Sequence, residues 1–290
     1  MFNLDVVASE GALAVAPRED SDTENLEEAA REAHHCGDFE NAEELLEEAV
    51  RIGGPNPRLF YNLGLVRAEQ GDYEGVIDAL SSVSPDDHAA LALRGLSYER
   101  LGKLDLARED YSRVLGEAPD DVDTLVNLGT LELAQGNLDA ADRYLGRAMR
   151  LDGAASWQYA DVASAKGDHG EARRLLQIAL DLGERRAQLD LALLDAADGQ
   201  DSEAETRFLK AIEAGATLGR RQFSTFLLLR GRVEEALAVS GEGVRDEDEW
   251  SYAPYAVALE RSLHHREAEK YRALACAAGD SEYVEEGPSF

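Results

Sequence analysis

The stretch Val122–Leu151, VDTLVNLGTLELAQGNLDAADRYLGRAMRL, decides how this chain folds. Val122, Leu125, Val126 and Leu133 in its first half recur at the spacing of one helix face, and so do Leu138, Ala141, Leu145 and Ala148 in its second. Gly136-Asn137 separates the halves. A glycine can adopt the left-handed conformation that ends a helix, and an asparagine can cap the next one. The stretch therefore reads as two helices folded back on each other. Gly129 and Ala141 supply small residues where the two would approach closely.

Working outward, the same unit recurs along almost the whole chain. Small residues stand at Ala42, Val76, Ala107, Ala141, Ala172, Ala204, Ala236 and Ala268, spaced by 34, 31, 34, 31, 32, 32 and 32 positions. A glycine stands five residues before each of the first seven: Gly37, Gly71, Gly102, Gly136, Gly167, Gly199 and Gly231. Leu263 takes its place in the eighth. Asp38, Asp72, Asn137 and Asp168 follow their glycines and can each cap a second helix. No segment alternates with the period of a strand. Helix pairs are expected at 24–36 and 39–52, 57–70 and 73–83, 88–101 and 104–116, 122–135 and 138–151, 154–166 and 169–182, 185–198 and 201–214, 217–230 and 233–245, and 252–263 and 265–278. Pro254 falls in the tolerated first turn of the last pair if Ser251 is its N-cap.

This pattern resembles the tetratricopeptide repeat. Besides Leu125 to Ala148, it is carried by Leu91, Gly95, Tyr98, Gly102, Ala107, Tyr111, Val114 and Pro119, and by Phe60, Leu63-Gly64 and Gly71-Asp72-Tyr73. The resemblance implies an all-α, right-handed superhelical solenoid of about eight antiparallel helix pairs. Gly64, Gly95 and Gly129 would let the second helix approach, and Leu80, Tyr111 and Leu145 would fill the remaining space. The chain departs from the family in lacking its early tryptophan, and it carries Ala160, Ala192, Ser224 and Ala256 where that glycine would fall in later units. Units six and seven, with Ala211-Ile212-Glu213-Ala214-Gly215, also resemble Sel-like repeats. The expected organisation is an N-terminal extension over 1–22, partly disordered, a solenoid over 23–278, and a mobile acidic tail over 279–290.

Charge narrows the functional classes. Fifty-nine acidic against 29 basic residues give a net charge of −30 over 290 residues. Such a field repels nucleic acid and anionic membranes. No apolar run approaches the ~20 residues of a membrane span. The N-terminus lacks a basic leader, with Asp5 and Glu10 breaking its apolar stretch, so no signal peptide is expected. Two cysteines, Cys36 and Cys276, make no disulfide framework and fit a reducing cytoplasm.

Chemistry-bearing motifs are sparse. His34-His35-Cys36 places adjacent imidazoles about 100° apart on a helix, so no shared metal is expected, and His264-His265 reads as a turn. Gly241-Glu242-Gly243 follows no strand and is no dinucleotide loop. No cofactor and no enzymatic activity are expected.

In arrays of this family the first helices line a concave groove, where ligands lie. Its inward positions would be Tyr61, Asn62, Leu65, Leu96, Val126, Asn127, Thr130, Trp157, Gln158, Asp161, Leu189, Gln222 and Thr225. Asn62, Asn127, Gln158 and Gln222 share one repeat position, where some members use amides to hold a peptide backbone. An amide both donates and accepts, so it matches a peptide unit without reading its side chain. Tyr61 and Trp157 would be either peptide anchors or inter-repeat packing. The chaperone-docking members grip a C-terminal carboxylate with lysines, but those positions hold Glu27 and Ala89, so that partner class is not expected. Groove positions carry nine acids and six arginines, a lower net acidity than the rest of the chain, so the charge reads as a solubilising exterior. The expected function is a protein-interaction scaffold with a partner segment in the groove. The alternative is a self-associating module, dimerising through a terminal unit.

Overall fold

The computed structural model describes residues 21–81, 87–280 and 283. Among them are sixteen α-helices and no strand. They run in pairs: α1 (Ser21–His35) with α2 (Phe39–Gly53), α3 (Pro57–Glu69) with α4 (Tyr73–Leu80), α5 (His88–Arg100) with α6 (Leu104–Glu117), and α7 (Val122–Ala134) with α8 (Leu138–Leu151). There follow α9 (Ser156–Ala165) with α10 (His169–Asp181), α11 (Ala187–Ala197) with α12 (Asp201–Glu213), α13 (Gly219–Leu229) with α14 (Val233–Arg245), and α15 (Tyr252–Arg261) with α16 (His265–Ala277). The all-α fold of about eight paired helices is thus the observed one. Most of the extension at 1–22 and of the segment from 279 onward, together with residues 82–86, lie outside the described residues.

The repeat register is written into the backbone. The seven register glycines all have φ between +70° and +77°, and each ends a first helix. The small residues five positions later are buried without exception, at 0–1% exposure, so they mark the closest helix–helix approach. Asp38, Asp72 and Asp168 cap α2, α4 and α10 through their carboxylates. Asn137 does not cap α8, contrary to expectation, because its amide donates instead to Glu132 Oε2 at 2.7 Å. Ser251 makes no side-chain cap either: Asp248 accepts from Trp250 N and from the Ser251 hydroxyl, and Pro254 sits in the first turn of α15. A β-carbon on Gly64, Gly95 or Gly129 would meet Leu80, Tyr111 or Leu145 at 3.2, 2.7 and 2.5 Å. Small residue against large is therefore how each of these pairs closes.

The chain divides between Gln158 and Tyr159 into two compact units. In the first, each helix packs on its neighbours in sequence, and the first helices of adjacent repeats also touch, α3 on α5 and α5 on α7. Its core runs through Leu46, Leu59, Leu63 and Val66, then Val76, Leu80 and Leu93, then Tyr111, Leu128 and Leu131. In the second, α11 touches α13 and α13 touches α15, around Phe208, Phe223 and Phe226, whose ring centroids lie 5.4–6.3 Å apart.

Carboxylates enter both cores with an arginine partner. Glu27 accepts from Arg58 at 2.6 Å, Asp110 takes both arms of Arg94 at 2.7 and 2.8 Å, Glu132 accepts from Arg108 at 2.7 Å, and Asp195 from Arg173 and Arg207 at 2.7 and 2.8 Å. These four acids are 2–6% exposed, so losing one partner would strand a buried charge.

Candidate functional site

In the first unit the first helices leave one stripe each unburied. On α7 that stripe holds Asp123, Asn127, Thr130 and Ala134, because the other face is committed to Leu125, Leu128 and Leu131. On α3 it holds Arg58, Tyr61, Leu65 and Glu69. At the start of α9 it holds Trp157 and Gln158. Of the residues expected inward in this unit, Tyr61, Leu65, Asn127, Thr130, Trp157 and Gln158 are half-buried and reachable. Asn62, Leu96 and Val126 are buried, at 1%, 7% and 5% exposure. The reason is the direct packing of first helices, which closes the seam over those three. A ligand on this face would not reach the Asn62 amide.

Tyr61 and Leu65 rest on the apolar cluster of Ala68, Val76, Leu80, Ala90 and Leu93. Burial, with the charge of Asp87, raises the Tyr61 phenol, so it stays a neutral hydrogen-bonding group. The amides carry the more telling geometry. Asn127 Nδ2 and Gln158 Oε1 are buried and have no hydrogen-bond partner. One is a donor, the other an acceptor, and they occupy the same repeat position 31 residues apart. Leaving such groups unpaired costs about 1–3 kcal/mol each, which a ligand recovers if the side chains turn to meet it.

In the second unit Gln222 is half-buried on α13, and Leu189 packs against the Phe208 cluster. Thr225 is 1% exposed. Its hydroxyl donates to Arg221 O at 2.8 Å and accepts from the Tyr283 hydroxyl, also at 2.8 Å. Asp280 and Tyr283 are both 7% exposed, so the segment expected to be a mobile tail contributes two buried side chains. Asp161 keeps an open side to water, yet surrounding protein, and then the charge of Asp190, push its carboxyl up to about 7.

The arginine-paired carboxylates and the buried Tyr283 were not singled out by sequence reasoning. The signal for the former was the separation of charges by less than one repeat, 24 residues from Arg108 to Glu132 and 22 from Arg173 to Asp195. Among the described residues, no three His, Cys, Asp or Glu side chains are grouped to hold a metal ion, and no helix is long and apolar enough to cross a membrane.

A tetratricopeptide repeat family model matches residues 28–80 and 74–122. Protein CTR9 homolog of Arabidopsis thaliana is 28% identical over 143 residues, 47% of this chain and 13% of that protein. Cellulose synthase operon protein C of Pseudomonas fluorescens is 32% identical over 126 residues, 38% of this chain and 10% of that protein. The matched region is thus a small part of either relative. Among solved structures, a tetratricopeptide repeat protein from Parabacteroides merdae superposes with a TM-score of 0.65 at 20% identity, covering 89% of this chain and 100% of that one. MamA from Desulfovibrio magneticus gives 0.52 at 20% identity, over 59% of this chain and 99% of that one. With the register glycines in one conformation and the small residues buried at every helix crossing, residues 28–122 carry the tetratricopeptide repeat sequence pattern and the chain has the tetratricopeptide repeat fold.

Proposed function

We propose that the inner face of the first unit binds an extended or helical segment of a partner protein, and that the chain acts as a non-enzymatic scaffold. The observation that carries this is the donor of Asn127 and the acceptor of Gln158, both unpartnered, at one repeat position of α7 and α9. Together they answer the two polar groups of a peptide backbone. Tyr61, Leu65, Thr130 and Trp157 supply half-buried surface beside them for one or two apolar side chains. The exposed free thiols of Cys36 and Cys276 fit a reducing compartment such as the cytoplasm.

The test begins with the immobilised full chain, used to isolate a partner from the source cell. The purified partner is then titrated against wild type, Trp157→Ala and Asn127→Ala/Gln158→Ala. Loss of a tryptophan anchor should cost about 2 kcal/mol or more. Each amide should cost about 0.5–1.5 kcal/mol. Equal binding by all three would place the partner elsewhere. Sedimentation of the chain alone over a hundredfold concentration range separates this reading from self-association, which requires the mass to rise with concentration.

A further inference from the structure

The second unit holds a different kind of site, one that the chain itself fills. Gly279, with φ +87°, ends α16, and Asp280 N donates back to Ala275 O at 2.9 Å. This turn brings Asp280 and Tyr283 against the inner face of α13 and α15. Arg221 Nη2 donates to Asp280 Oδ1 at 2.7 Å. The same guanidinium lies 4.9 Å from the Tyr283 ring centroid and 5.8 Å from that of Trp250, so it is clasped between two aromatic faces. The Tyr283 ring packs with Ala253 and Ala275, and its hydroxyl reaches Thr225. Each element of peptide recognition is present: a cation for a carboxylate, a small-residue floor for an aromatic ring, and a polar stop for its hydroxyl.

We propose that this pocket on α13 and α15 is a binding site for a partner segment bearing a carboxylate three residues before a tyrosine, and that Asp280 and Tyr283 are an intramolecular plug that occludes it until such a segment displaces them. One feature favours a plug over a permanent brace. Arg221 Nε is buried without a hydrogen-bond partner, so one arm of the guanidinium is left open. An incoming carboxylate free of the Gly279 turn can take both arms, and a two-armed pair is the stronger one. That surplus is what a competitor needs against a plug whose short tether gives it a millimolar effective concentration. The site lies in the second unit and stands independently of the groove proposed for the first.

The experiment uses the full chain and a fluorescein-labelled peptide of residues 279–290, GDSEYVEEGPSF, followed by fluorescence anisotropy. The Asp280→Ala/Tyr283→Ala chain, its plug disabled, should bind the peptide at least tenfold more tightly than wild type. Adding Arg221→Ala should abolish that binding, and so should replacing the peptide's tyrosine by alanine. Equal binding to wild type and the double variant would overturn the proposal. So would absence of binding to a double variant that still melts cooperatively by circular dichroism. Loss of the cooperative melt would overturn it too, because a plug must leave without unfolding what it covers.

Discussion

Leu263 stands where seven repeats carry glycine, and its backbone follows theirs, with φ +64° and a side chain 78% exposed. A β-carbon in the left-handed region costs about 1–2 kcal/mol, and an exposed leucine recovers little of that by burial. Glycine is freer in the unfolded chain, which returns part of the gain. Leu263→Gly should therefore raise stability by about 0.5–1 kcal/mol, read as a higher thermal midpoint. A lower midpoint would mean that Leu263 makes a contact outweighing its strain. The glycines inside the first helices behave differently, since there space is the constraint. A β-carbon at Gly129 would lie 2.5 Å from Leu145 Cγ and 3.2 Å from Leu145 N, and backbone cannot step aside. At Gly64 it would meet only the Leu80 side chain, at 3.2–3.6 Å. Overpacking of about 1–3 kcal/mol should outweigh the gain in helix propensity of about 1 kcal/mol in Gly129→Ala and roughly cancel it in Gly64→Ala. Equal shifts in the two urea midpoints would contradict the difference in clearance.

At the scale of elements, the helix pairs and their turns were legible because glycine, cap and small residue recur in fixed order. The ends of the second helices were less so, and they come in two kinds. In the first four repeats the chain leads into Asn56, Asp87, Asp121 and Asp152, each accepting a backbone N–H at the start of the next element. In the last four it passes through positive φ at Gly183, Gly215, Glu247 and Gly279, spaced 32 apart. Glu247 breaks that row as Leu263 breaks the other, which masks the period in the letters. Pairings between elements were hidden for another reason. Whether Asp195 is a solvated acid or a buried acceptor for two arginines depends on the rotation of α11 against α10 and α12. Asp161 on α9 shows the opposite outcome, a carboxyl raised to about 7 by crowding and by Asp190 on α11. A carboxyl raised in the folded state favours folding while it stays protonated. That contribution is complete below the unfolded value of about 4 and is lost as pH climbs through 7. Asp161→Asn should thus be increasingly stabilising relative to wild type from pH 4 to 7, then level off. Water on its open side limits the gain to about 0.5–1 kcal/mol. Urea melts at pH 5 and 8 check this, and a difference independent of pH would show that Asp161 ionises normally in the fold.

For the molecule as a whole, the repeat makes stability a sum over neighbours. Each pair closes small residue on large between its own two helices, and the large residues also touch the next repeat, Leu80 with Leu93 and Tyr111 with Leu128, so damage should be local. The expected face for a ligand was only half legible for the same reason. Which residues point inward follows from the register, but how far each is covered follows from the adjacent first helix, as Asn62 and Asn127 show at one repeat position. Ala141 tests the architecture directly. It is wholly buried on α8, facing α7, where leucine has no room. Ala141→Leu should destabilise by about 1–3 kcal/mol. Under native conditions its effect on amide hydrogen exchange should be graded: largest in α7 and α8, smaller in α5 and α6, and smallest in α1 and α2, which share the unit but touch neither altered helix. Packing of α6 on α7 transmits the strain, and each further interface dilutes it. A uniform loss of protection across α1–α8 would instead mean that the unit opens all at once, and that its eight helices form one cooperative core rather than a stack of repeats.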